Sequence, residues 1–80
     1  MDEQENVERE VMNIDHFRFH WTLTGDVVAM SEEYITRWRL FEGGTFKIVS
    51  TNMRDSIYWV PVGIAVSKWT RDHWGERPVK

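Results

Sequence analysis

Hydrophobic and polar residues alternate strictly along residues 16–23, and this is the clearest pattern in the chain. Because successive side chains of a β-strand point to opposite faces, the alternation predicts a strand over residues 14–24 with one aromatic and one basic face. Residues 25–26, a Gly-Asp pair, predict a two-residue hairpin turn into a second strand over residues 27–30. The alternating sets of the first strand are Phe17, Phe19, Trp21 and Leu23 on one parity and His16, Arg18, His20 and Thr22 on the other.

The segment 31–41 fits two kinds of secondary structure. As a helix, it would place Tyr34 and Trp38 on one face. As a strand, it would turn at the glycine pair 43–44 and pair with residues 45–51, whose β-branched residues favour a strand. We favour the strand, because its partner has strong strand character and the two glycines lie between them.

The apolar spacing changes again toward the end of the chain. Residues 56–60, which follow a turn at 52–55, predict another strand, and Pro61 would end it or place it at an edge. Beyond it the apolar residues follow the spacing i, i+4, i+7 and i+11, which predicts a C-terminal helix. Gly75 and Pro78 would stop this helix. The residues of the helical stripe are Val62, Val66, Trp69 and His73.

These elements predict an α+β fold, a curled antiparallel meander of four to five strands with a C-terminal helix packed on its aromatic face. A small all-β barrel is the alternative. The predicted inner face contains Phe17, Phe19, Trp21, Leu23, Trp38, Leu40, Phe46, Ile48, Ile57 and Trp59. The predicted outer face carries the cationic or titratable residues His16, Arg18, His20, Arg37, Arg39 and Lys47, interleaved with Ile35, Phe41, Val49, Tyr58 and Val60.

Composition and charge divide the chain into two parts. Five Trp, four Phe and two Tyr among 80 residues suit one small domain that must bury large side chains to be stable. Residues 1–13 hold five acidic residues against one arginine, whereas residues 14–80 hold eight acidic and nine basic residues. We therefore expect an acidic frayed helix or disordered tail over 1–13 and a single globular domain over 14–80.

Several kinds of chemistry are excluded or disfavoured. The chain has no cysteine, so disulfides, thiolate nucleophiles and thiolate metal sites are excluded. On a strand, His16 and His20 would lie about 13 Å apart, too far to share a metal ion. Asp15 would point away from His16, and no glycine-rich phosphate loop is present. We predict no catalytic residues, metal or cofactor, and, because no apolar signal or membrane span is evident, a cytoplasmic protein.

The remaining prediction is a non-enzymatic protein–protein interaction module, acting as an adaptor, regulator or inhibitor. Its partner would offer an acidic, partly apolar patch to the basic face, or a basic site to the acidic segment. An exposed edge strand also permits a homodimer. The alternative is a small domain that binds single-stranded nucleic acid and is masked by the acidic segment. The nearly neutral charge of residues 14–80 argues against it, because phosphate binding needs an excess of positive charge. The candidate partner-binding residues are His16, Arg18, His20, Arg37, Arg39, Phe41 and Tyr58.

Overall fold

A computed structural model describes residues 13–78 as one open antiparallel sheet and one helix. The four strands follow one another in the sheet in chain order, so that β1 and β4 are its edges. This confirms the α+β meander, with four strands and without closure into a barrel. The strands are β1 (Arg18–Trp21), β2 (Val27–Met30), β3 (Ile35–Phe41) and β4 (Thr45–Thr51); the helix is α1 (Trp59–Asp72); 3-10 turns lie at Ile14–His16, Ser56–Tyr58 and Trp74–Glu76.

The strand register determines which residues share the face that packs against α1. Residues directly opposite each other in neighbouring strands point to the same side of a sheet. The segment 35–41 is a strand, as favoured from the sequence, and an irregularity between Arg37 and Trp38 shifts its register with β4. The rows that face α1 are Trp21, Val27, Trp38 and Ile48; Phe19, Ala29, Thr36 and Thr51; and Leu40 with Phe46.

The helix α1 packs on this face through the stripe predicted from its spacing. Val62 and Val66 are completely buried in the core. Farther along the stripe, the ring of Trp69 lies 5.9 Å from that of Phe19 and 5.3 Å from that of Trp21. Apolar burial and aromatic contact along one side of α1 therefore join it to the sheet. The remaining core residues are Phe17, Val27, Ala29, Trp38, Phe46 and Met53.

The predicted fifth strand over residues 56–60 is wrong. The carboxylate of Asp55 accepts a hydrogen bond from the N–H of Ile57 at 3.1 Å, which starts a 3-10 turn instead. Pro61 lies in the first turn of α1, where a residue without an N–H is tolerated. Ile57, expected on the inner face, is therefore 64% exposed.

The first predicted strand is shorter than expected at both ends. Asn13 caps the 3-10 turn Ile14–His16 by accepting the N–H of Asp15 at 3.0 Å, so the strand begins only at Arg18. The predicted two-residue turn is a five-residue connection, 22–26, and Leu23 on it is exposed rather than inner. The alternation of the sequence thus extends beyond both ends of the observed strand. The strand is shorter because capping and turn hydrogen bonds replace strand pairing at its ends.

Two links join the end of the chain to its first hairpin. The indole N–H of Trp21 donates to the carbonyl of His73 at 3.1 Å. The guanidinium of Arg77 donates through Nε to the carbonyl of Gly25 at 3.1 Å and lies over the rings of Trp74 and Trp21, at 5.3 and 6.0 Å. Hydrogen bonds and cation–π contacts therefore hold the segment after α1 against the β1–β2 connection.

The acidic frayed helix or tail predicted for residues 1–13 lies outside the described residues, apart from Asn13. Within residues 13–78, no helix is long and apolar enough to cross a membrane.

A buried hydroxyl on β3 links the side chain of Trp38 to the backbone of β2 in the core. Thr36 is completely buried; its Oγ1 accepts from the indole N–H of Trp38 at 2.7 Å and donates to the carbonyl of Ala29 at 2.9 Å. On its other side the Trp38 ring faces Gly63 of α1, where an added Cβ would lie only 3.1 Å from the ring. The position of Trp38 thus depends on a hydroxyl in the sheet and a glycine in the helix.

Thr36→Val should destabilise the protein, because it leaves the indole N–H of Trp38 and the carbonyl of Ala29 without this partner in the core. We expect the free energy of unfolding to fall by about 2 kcal/mol, measured by urea denaturation. The control is Thr45→Val at an exposed position of β4, which should change stability by less than about 0.5 kcal/mol. Equal stability of the two variants would show that the hydroxyl relay contributes nothing.

Candidate functional site

The face of the sheet opposite α1, here called the outer face, carries most of the predicted partner-binding residues. Arg18 and His20 of β1 are exposed on it, as are Arg39 of β3 and Lys47 of β4. The register brings residues from all four strands into neighbouring rows. These rows are Arg18, Met30 and Ile35; His20, Val28, Arg37 and Ser50; Arg39 with Lys47; and Phe41 with Thr45.

A single buried carboxylate organises the basic residues of this face. Asp26, immediately before β2, is only 3% exposed. Its Oδ2 accepts from Nε of Arg37 at 2.9 Å and from Nη2 of Arg39 at 3.1 Å. Its own N–H donates to Oγ1 of Thr22 at 3.0 Å. The two guanidinium groups therefore cover the carboxylate from the outer face and are themselves oriented by it.

Two members of this cluster, Asp26 and Arg39, have shifted pKa values. Burial alone would raise the pKa of Asp26, but hydrogen bonds from Arg39 and Arg37, together with their positive charges, hold that pKa below its usual value. The hydrogen bond and charge of Asp26 in turn raise the pKa of Arg39. At neutral pH the cluster is one carboxylate and two guanidinium groups, which leaves an excess of positive charge beside Lys47.

Exposed apolar side chains lie among these cations. Ile35, Phe41 and Val49 are 48%, 43% and 39% exposed. The ammonium of Lys47 lies 5.3 Å from the centre of the Phe41 ring, a cation–π contact at one end of the face. The outer face thus mixes arginine, an aromatic ring and aliphatic groups.

The structure brings five of the seven predicted site residues together on the outer face: Arg18, His20, Arg37, Arg39 and Phe41. His16 lies outside the sheet, in the 3-10 turn before β1, with its Nε2 3.5 Å from Nδ2 of Asn13. Tyr58 lies in the turn before α1 and packs, half-buried, against the core. The placement of Tyr58 on the outer face is thus wrong, because it relied on the fifth strand. Val60, expected beside it, is on α1.

Sequence reasoning missed the central residue of the cluster. The sequence indicates only a turn at Asp26, although this residue precedes β2 with the same parity as Val28, which lies opposite Arg37. The signal in the sequence is an acidic residue directly before one strand and two arginines at alternate positions of the next strand. Lys47 was placed on the outer face by its parity but not among the site residues, and the structure brings it next to Arg39.

His73 takes part in the local structure at the end of α1. His73 stacks on the ring of Trp69 at 4.3 Å, and its Nδ1 lies 2.9 Å from the Trp69 carbonyl at the end of α1. Among residues 13–78, no group of three or more His, Cys, Asp or Glu side chains could hold a metal ion.

Asp26→Asn should lower stability in a pH-dependent manner. At neutral pH we expect a loss of about 1–2 kcal/mol, because neutral Asn cannot balance the two guanidinium groups. Since the folded pKa of Asp26 lies below the ordinary 3.8, its contribution is present above that value and disappears as the pH falls through the lower folded pKa. Urea denaturation of both proteins from pH 7 to about pH 2 measures the difference.

The matched control for this experiment is Asp72→Asn, at an exposed position near the end of α1. Its stability should differ little from that of the wild type across the same pH range. A gap between wild type and Asp26→Asn that stays constant down to the lowest pH would contradict a stabilising Asp26 carboxylate.

Comparisons with protein-family models, with curated proteins and with solved structures find no match for this chain.

Proposed function

We propose that this chain is a non-enzymatic protein-interaction module, an adaptor, regulator or inhibitor, that covers an acidic and partly apolar patch of a partner protein with its outer face. The observation that carries the proposal is the cluster in which Asp26 holds Arg37 and Arg39 beside exposed apolar groups. Arginine and aromatic residues are the most frequent energetic anchors of protein interfaces.

The ion pairs with Asp26 prepare the two arginines for binding. A free arginine loses side-chain freedom when a partner fixes it, and this loss opposes association. Here both guanidinium groups are already oriented, yet the side chains of Arg37 and Arg39 remain 40% and 54% exposed. Each still has N–H donors for a partner's carboxylate, and the planar guanidinium suits such recognition.

The nucleic-acid alternative has less support. Sheets that bind single strands stack bases on exposed aromatic rings and hold phosphates with nearby cations. On the outer face of the described residues, Phe41 is the one Phe, Tyr or Trp side chain, and it lies at the end of β3. The rings of Phe19, Trp21 and Trp38 instead face α1. This distribution favours a protein partner.

Other parts of the proposal rest on the sequence alone. A cysteine-free chain suits the reducing cytoplasm, which is the location we propose. The acidic residues of segment 1–13 offer a second means of binding, to a basic site on a target. Pairing of two copies through an edge strand would give a homodimer.

Charge reversal at the periphery of the outer face should abolish partner binding without unfolding the protein. We expect Arg18→Glu with Lys47→Glu to weaken capture of a binding protein by the immobilised chain at least about tenfold, because both cations would face the partner's acidic patch. Arg37 and Arg39 are unsuitable for this test, because reversing them leaves the buried Asp26 beside like charges.

The matched control is Lys68→Glu with Arg71→Glu, two exposed residues of α1. It changes the net charge by the same amount on the opposite side of the molecule, and thermal unfolding checks that both variants are folded. Retention of binding by the control and its loss in the outer-face variant supports the proposal. Equal loss in both variants would show dependence on net charge alone, and undiminished binding in both would exclude the outer face.

A further inference from the structure

The last strand of the sheet offers an open edge. β4 (Thr45–Thr51) has seven residues, and within the described chain it pairs with β3 only. An edge strand leaves N–H and C=O groups on alternate residues available to another strand. The opposite edge, β1, is only four residues long. β4 is therefore the better template for an added strand.

An apolar groove of about 380 Å³ runs beside this edge, between β4 and α1. Phe46 and Ile48 contribute to it from β4. On the helix side, Val60 and Ile64 lie one turn apart and are each 66% exposed. The full lining is Trp38, Phe46, Lys47, Ile48, Trp59, Val60, Gly63, Ile64 and Ser67. The groove thus exposes apolar surface directly beside unpaired backbone.

A hydrogen-bond donor in the lining lacks an acceptor. The indole N–H of Trp59 is buried and has no hydrogen-bond partner in the described chain. In contrast, the indole N–H groups of Trp21 and Trp38 donate to the His73 carbonyl and the Thr36 hydroxyl. Buried donors are rarely left unpaired, because the lost hydration is costly. Since the Trp59 side chain is also part of the lining, its indole N–H can report on occupancy of the groove.

The positive charge of Lys47 beside the β4 edge indicates which side chains an added strand should carry. Lys47, on the outer face of β4, is exposed and lies opposite Arg39. A strand added to β4 would direct alternate side chains into the apolar groove and the others toward Lys47. Acidic residues are complementary at the second set of positions. A second copy of β4 fits less well, since it would add another Lys47 to the same face.

We propose that the groove between β4 and α1 binds an extended segment of a partner protein in which apolar and acidic residues alternate, and that this segment joins the sheet as a fifth strand. The inference rests on the proposed interaction function and assigns a second surface of the same module, which adjoins the outer face at Lys47. Backbone hydrogen bonds to β4 would provide affinity, and the groove and Lys47 would provide specificity.

Two synthetic octapeptides with blocked ends test this proposal, one alternating Val and Glu and the other alternating Val and Lys. Each is titrated into the full ¹⁵N-labelled chain and followed by NMR. The Val-Glu peptide should shift the backbone amides of β4 and the indole N–H of Trp59. The Val-Lys peptide should bind at least about tenfold more weakly, and Lys47→Glu should reverse this preference.

Substitutions on either side of the molecule locate the binding site. Ile64→Asp, in the exposed helix wall of the groove, should weaken binding of the Val-Glu peptide at least about tenfold. The matched control is Leu23→Asp, because Leu23 is 91% exposed in the β1–β2 connection and is not part of the groove. Its affinity for the peptide should equal that of the wild type.

Failure of this inference is distinguishable from failure of the outer-face proposal. Because Lys47 belongs to both surfaces, the single variant Arg18→Glu separates them: Arg18 lies on the opposite edge strand, so this variant should weaken capture of the outer-face partner and leave peptide binding unchanged. Absence of Val-Glu binding, or binding that Ile64→Asp does not weaken, overturns the groove proposal and leaves the outer-face test unaffected. Sedimentation provides the last check, since a wild-type dimer that Ile64→Asp converts to monomers would make a second copy the occupant and overturn the partner segment.

Discussion

The side chain of Trp38 links the sheet to the helix, and both the core and the groove beside β4 depend on its position. Its indole N–H is held by Thr36, which in turn holds the backbone of β2, and its ring lies against Gly63 of α1. Burial of so large a ring contributes much of the core of a chain this short. The same ring lines the groove beside β4. A shift of Trp38 would therefore alter the core and the groove together.

On the outer face, ion pairs rather than apolar packing fix the positions of the side chains. The centre of this face is a carboxylate that would be costly to bury alone and that two arginines neutralise. The arginines are in turn held on a surface where arginine is usually mobile. The core and the outer face meet at β2, which is buried on one side against α1 and preceded by Asp26. One four-residue strand thus supports both faces.

Features that follow from burial, such as the two faces of the sheet, could be predicted from the sequence. Contacts that depend on how two strands pair could not. The parity of Phe19 and Arg18 predicted the two faces, and the stripe through Val62 and Val66 predicted the helix, because burial imposes those periods. Residues 56–60 form a turn and the start of a helix instead of the expected fifth strand, because Asp55 caps the turn and Pro61 suits the first turn of α1. Tyr58 therefore lies outside the sheet. The ion pairs of Asp26 depend on which residues β2 and β3 place opposite each other, and residue types alone do not define that register.

The contacts at the end of the chain have a consequence for how the protein assembles. Strand pairs in a meander join neighbouring segments, so their closure requires little loss of chain entropy. The bonds from Trp21 to His73 and from Arg77 to Gly25 each connect residues 52 positions apart. We expect the sheet to form early, and the anchoring of the helix end on the first hairpin to be the last contact made in folding and the first to open.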